Sequence, residues 1–90
     1  MPTREQIDAF ADNIAEPLLL MDGFDEAFVG TSRRGNEPTL AVYAWELMVD
    51  VLMQRDNMEY EEAVEYISYN CIGAWVGERT PIIVIPMDEY

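Results

Sequence analysis

The segment 44–55, AWELMVDVLMQR, admits few folds. Before its last residue the only polar positions are Glu46, Asp50 and Gln54, and at i, i+4, i+8 they form one narrow stripe. The remaining apolar arc covers roughly 240° of a helix wheel, against the roughly 100° that a surface helix turns toward a core. A helix of this kind has to be covered on two sides. In a chain of 90 residues, the length of one domain, it is expected to be central and more buried than any other helix.

Two further helices are expected around it. Residues 3–16 carry Ile7, Phe10, Ala11 and Ile14 at helical spacing. Thr3 and Gln6 fit a capping box, in which the threonine oxygen takes a free backbone N–H and the glutamine reaches back. Pro17 is expected to end this helix, because the residue before a proline disfavours helical angles. The third helix is expected from Glu59 to Val76, with Gly77 in the left-handed position after its last turn. Its core face holds Ala63, Val64, Ile67, Cys71 and Ala74, with Trp75 at the edge, packed under the last strand.

Strands are expected at 27–34, with Ala27, Val29 and Thr31 on one face, and at TLAVY, residues 39–43. RGNEP between them supplies turn residues for a hairpin loop of about four or five. DGFD, residues 22–25, is a further turn. TPIIVIP gives a last strand, Ile82–Ile85, bracketed by Pro81 and Pro86 and placed at a sheet edge, where the prolines blunt edge pairing. The order is α-β-β-α-α-β. The expected fold is α+β in a single domain, 1–90: a small three-stranded, mostly antiparallel sheet with three helices packed on one face.

Charge narrows the function classes. There are 18 acidic residues, five arginines, no lysine and no histidine, for a net charge of −13. Such a field repels nucleic acid and anionic membrane and favours basic partners. Without histidine the usual general base and metal ligand is missing, and with one cysteine neither a zinc set nor an internal disulfide can form. No P-loop or EF-hand spacing is present. No enzyme activity, cofactor or metal is expected. No apolar run is long enough to span a membrane, and MPTREQID lacks the order of a signal peptide, so a soluble cytoplasmic protein is expected.

Three sets of residues are candidates for binding. On the outer side of the third helix, Glu61, Glu62 and Glu65 are followed by Tyr69, Ile72 and Val76. An acidic patch running into an aromatic and aliphatic one suits a partner surface; the alternative is that another helix lies across Ile72 and Val76. On the first helix, Glu5, Asp8, Asp12 and Glu16 fall opposite the apolar stripe. Spaced about 5–6 Å apart, they are the candidate row for a DNA mimic that blocks a host nucleic-acid-binding enzyme. Arg33 and Arg34 either hold an anion bidentately or satisfy nearby acids.

DGFDEAFVGTSRR, LAVYAWELMVDVLM and YEEAVEYISYNCIGAWVGERTPI together resemble a family of small proteins of tailed phages and prophages. That family reads as an Asp-Gly-Phe turn, a strand ending in two arginines, a VYD-like helix start, and a YEEAVEY block leading into GAWVGE and Thr-Pro. The resemblance covers residues 22–85, within the core 22–86, and leaves residues 1–17 outside it. It carries no assigned activity and implies a setting, the bacterial cytoplasm during infection. In that setting the expected function is that of an accessory protein that binds a host protein through the mixed apolar and acidic surface and modulates or inhibits it. Ala44 stands where the family has aspartate, and Glu59 where it has serine or threonine. Both are expected helix N-caps, and each loss costs about 0.5–2 kcal/mol.

Overall fold

The computed structural model describes residues 2–89, with side chains as far as Asp88; Met1 and Tyr90, the ends of the expected domain 1–90, lie outside it. Helix α1 spans Arg4–Ala11, strand β1 Phe28–Ser32, strand β2 Leu40–Ala44, helix α2 Trp45–Arg55, helix α3 Tyr60–Ile67 and strand β3 Ile82–Val84. The fold is α+β, in the order α-β-β-α-α-β.

Helix α2 is the centre of the core. Trp45, Met48, Val49, Val51 and Leu52 are buried, while Glu46, Asp50 and Gln54 are exposed as one stripe. Ala44 at its N-cap makes no side-chain capping bond. Asn57, at a positive φ of 55°, takes the left-handed position that turns the chain sharply into α3. There Glu59 stands at the N-cap of a capping box: its own side chain takes the N–H of Glu62, as serine or threonine would, and its backbone N–H donates to Glu62 Oε1 at 3.4 Å.

Helix α1 begins with the expected box: Gln6 N–H donates to Thr3 Oγ1 (3.2 Å) and Thr3 N–H to Gln6 Oε1 (3.0 Å). It ends at Ala11, earlier than the apolar spacing predicts. Asn13 Nδ2 donates to the Ala9 carbonyl (3.3 Å), and the N–H groups of Asn13 and Ile14 turn to the carbonyls of Phe10 and Ala11. A side chain that takes the i−4 carbonyl competes with the next helical bond.

Helix α3 is corrected in the same way. It ends at Ile67 and continues as one π-helical turn, Ser68–Ile72, not to Val76. Asn70 Nδ2 donates to the Tyr66 carbonyl (3.1 Å), and Gly73 follows. Residues 76–80 then close on themselves, with Thr80 Oγ1 accepting the Val76 N–H (2.9 Å) and donating to the Gly77 carbonyl (2.7 Å). Gly77 lies in that turn, at φ +107°, and caps no helix.

The sheet order is β1-β2-β3, with β2 in the middle. β1 and β2 are antiparallel, Ser32 opposite Leu40, across a loop of residues 33–39 that is longer than expected. β3 is at an edge, as its prolines suggest, but runs parallel to β2, Val42 opposite Ile82. The sheet is therefore mixed, not mostly antiparallel. A parallel neighbour needs a connection that returns the chain to the end of the sheet where β2 began. α2, α3 and the irregular segment 73–81 form it, and each residue drawn from helix into extended chain adds ~2 Å of reach to that return.

The inward face of β1 is also corrected. Phe28 points into the core, edge-on to Tyr43 at 5.6 Å and to Phe10 at 6.0 Å, while Val29 and Thr31 are exposed. A bulge between Phe28 and Gly30 shifts the alternation, and Gly30 sits at φ +145°. Tyr43 is fully buried; its hydroxyl accepts the Met21 N–H at 2.8 Å, and burial pushes the phenol pKa up. No described helix is long and apolar enough to cross a membrane.

Candidate protein-docking face

Six of the eleven large apolar side chains exposed among the described residues lie within residues 60–76. Four of these six, Tyr69, Ile72, Trp75 and Val76, follow the end of α3 at Ile67. Tyr69 is 82% exposed, Ile72 46% and Val76 63%, so neither α1 nor α2 lies across them. Glu61, Glu62 and Glu65 are exposed beside them and enter no ion pair among the described residues. The partner-surface candidates are thus brought together on solvent-facing positions.

Trp75 is a correction. It is expected at the core edge and is instead 75% exposed, because the chain has left the helix two residues before it. The signal for this was Gly73 together with the side-chain amide of Asn70. Cys71 is half-buried, as a small core-facing residue, and burial alone raises its pKa. A thiol held protonated in this way is a poor nucleophile.

Beside the patch lies a groove of about 460 Å³ that the sequence did not reveal. One wall comes from residues 19–24, with Leu19, Met21 and Phe24; the other comes from α3, the π turn and 74–81, with Tyr66, Cys71 and Val76. Three arginines tether these walls. Arg4 donates from Nε to Asp25 (3.1 Å) and from Nη2 to Asp22 (3.1 Å), and Asp25 first, then Asp22, raises its pKa. Arg55 donates to the Gly23 carbonyl and lies 5.9 Å over the Phe24 ring. Arg79 donates to Glu16 Oε1 (3.0 Å) and to the Pro17 carbonyl (2.8 Å).

Glu16 is thereby removed from the acidic row of the first helix. It lies beyond α1, half-buried, and accepts the Thr39 N–H at 2.7 Å as well as Arg79. The Thr39 bond first, then Arg79, holds its carboxyl below the usual carboxylate range. Glu5, Asp8 and Asp12 remain exposed, and their row rises only ~10 Å at 1.5 Å per residue. Arg33 and Arg34 are exposed in the hairpin loop and make no ion pair among the described residues, where the ion pairs are those of Arg4, Arg55 and Arg79. Among the described residues no group of three or more Asp, Glu or Cys side chains gathers to hold a metal ion.

No protein-family model, no curated protein and no solved structure matches this chain.

Proposed function

We propose that this chain is a non-enzymatic accessory protein of phage type that binds a host protein and modulates or inhibits it. The observation that carries the reading is the concentration of exposed aromatic and aliphatic side chains on residues 60–76 beside carboxylates of α3 that enter no ion pair among the described residues. Large apolar side chains clustered at a surface are the usual mark of a protein contact, and a rim of one charge sets the sign of the partner. The phage setting rests on the motif resemblance over residues 22–85, and with it the bacterial cytoplasm as the place of action.

The test is affinity capture from a bacterial lysate, with identification by mass spectrometry, using the wild type and the triple variant Tyr69→Ser, Ile72→Ser, Val76→Ser. The variant is expected to stay folded and to lose the captured protein. Capture unchanged by the triple variant would remove this reading.

The DNA-mimic reading ranks second. It is favoured by the exposure of Glu5, Asp8 and Asp12 in one row, and a row of that length imitates only a few phosphates. Under it, charge reversal at Asp8 and Asp12 weakens capture of a basic nucleic-acid-binding protein, and moderate salt does the same.

A further inference from the structure

We infer that the groove between residues 19–24 and the α3–π-turn wall receives one bulky apolar side chain of a basic partner segment, with lysines or arginines of that segment lying on the flanking carboxylates. This rests on the protein-binding reading and specifies its ligand. Three observations support it.

The first is shape and lining. A volume of about 460 Å³ falls within the 300–1,000 Å³ typical of ligand pockets. The lining by Leu19, Met21, Phe24, Tyr66 and Val76 is apolar, with Asp22 and Asn70 at polar positions. Val76 belongs both to this lining and to the exposed patch, so the groove and the patch form one surface.

The second is charge. Residues 57–78 carry five carboxylates (Glu59, Glu61, Glu62, Glu65 and Glu78) and no basic residue, while Asp56 just before them is paired with Arg55. Glu62 lies one helical turn before Tyr66, so the Cβ atoms of the two are ~5–6 Å apart on the same face. Arg79, the nearest arginine after this stretch, is held by Glu16 and Pro17 and does not neutralise it. An apolar anchor flanked by positive charge complements this surface; an acidic or purely polar segment does not.

The third disfavours a second copy as occupant. A two-fold interface sets the same patch of each protomer against itself. Here that would oppose the α3 carboxylates of one copy to those of the other, and like charges across an interface cost several kcal/mol.

The test uses three short, tryptophan-free peptide probes on the full chain. The first has a lysine-rich polar side and leucine and phenylalanine anchors. The second replaces lysine by glutamate, and the third replaces the anchors by serine. Binding is read from Trp75 emission and from the anisotropy of labelled peptide, with sedimentation of the protein alone in parallel. Ala74 is exposed and lines the groove, so Ala74→Phe fills it without changing charge.

The first probe is expected to bind and to shift Trp75 emission to the blue. The other two are expected to bind at least tenfold more weakly, and Ala74→Phe to lower affinity for the first probe at least tenfold with an unchanged melting curve. Equal binding of the serine probe, or indifference to Ala74→Phe, overturns the inference, while loss of lysate capture in the Tyr69, Ile72, Val76 variant would still uphold the broader protein-binding reading. A self-associated species that Ala74→Phe dissolves makes a second copy the occupant and overturns the inference too.

Discussion

Trp45 and Trp75 give the sharpest check on where the third helix stops. Trp45 is 6% exposed, in the first turn of α2, with its ring edge-on to Tyr60 at 6.5 Å; Trp75 is 75% exposed in the segment after the π turn. A tryptophan buries up to ~250 Å², and apolar burial contributes about 25 cal/mol per Å². Trp45→Ala is therefore expected to cost about 3–5 kcal/mol, the usual range for a large aromatic removed from a core. Trp75→Ala removes only the quarter of that area that is covered, roughly 60 Å², and leaves no cavity, so about 1.5 kcal/mol is the upper figure. At ~4–8 °C per kcal/mol for a domain of this size, the first change lowers Tm by more than ~12 °C and the second by less. Thermal melts by circular dichroism measure both. Fluorescence adds an independent reading: Trp75→Phe leaves Trp45 as the emitter, so emission should move to the blue and acrylamide quenching should fall. Equal Tm losses for the two alanine variants, or an unchanged spectrum in Trp75→Phe, would mean that residues 73–76 pack as a continued helix and that the docking face is core.

Other variants separate the tethers from the core. Glu16→Gln keeps an oxygen for the Thr39 N–H but loses the charge facing Arg79. Because the folded pKa of Glu16 is lowered, its stabilising effect is complete above the ordinary glutamate range and is lost as pH falls through the folded value; the Tm gap between wild type and variant should be largest at neutral pH and close in acid. Tyr43→Phe leaves the Met21 N–H without its acceptor and should cost about 1–2 kcal/mol in urea melts. With the Tyr43 pKa raised above its ordinary 10.0, the unfolded phenol ionises first, so wild-type stability should decline as pH rises past that value, and the phenylalanine variant should lack this tyrosine's part of the decline. Replacing Arg33 and Arg34 by alanine should change stability by less than about 0.5 kcal/mol; a nucleotide-induced thermal shift that disappears in this variant would make the hairpin loop an anion site and count against a purely protein-binding role.

What the sequence made legible follows from which physical question each pattern answers. The stripe Glu46, Asp50, Gln54 answers how much of a helix must be buried, and α2 is the most buried helix. Thr3 and Gln6 answer where free N–H groups go, and both capping bonds are present. Apolar periodicity, by contrast, says nothing about carbonyls. At Asn13 and again at Asn70, a side-chain amide takes the carbonyl four residues back, and the regular α-helix stops within a few residues before that asparagine although the apolar spacing continues. The two helix ends, the exposure of Trp75 and the position of Glu16 were missed for this one reason. The direction of β3 depends on the same ends, since extended residues after Gly73 lengthen the crossover. The groove was out of reach for a different reason: residues 19–24 and 66–81 meet only through tertiary contacts.

Those contacts bear on how the proposed docking face is held. Surface ion pairs contribute only ~0–1 kcal/mol each, so Arg4, Arg55 and Arg79 are modest sources of stability. Their effect is on geometry. Each joins a segment outside the α-helices and strands, 16–17 or 22–25, to another part of the chain, and these segments lead into or form one wall of the groove. A wall fixed before the partner arrives spares the association the ordering entropy that a loose loop would lose on binding. Arg79→Ala tests this directly. It removes the bonds to Glu16 and to the Pro17 carbonyl, and, from pairs about a quarter to a third exposed, the expected stability loss is about 1 kcal/mol, or a few degrees in Tm. If the tether preorganises the groove, capture of the partner should fall at least tenfold, about 1.4 kcal/mol, at a temperature where the variant is fully folded. Amide exchange in residues 18–21 should rise at the same time. A variant with the same small Tm loss, unchanged exchange and full capture would reduce Arg79 to a surface ion pair and leave the groove wall rigid for some other reason.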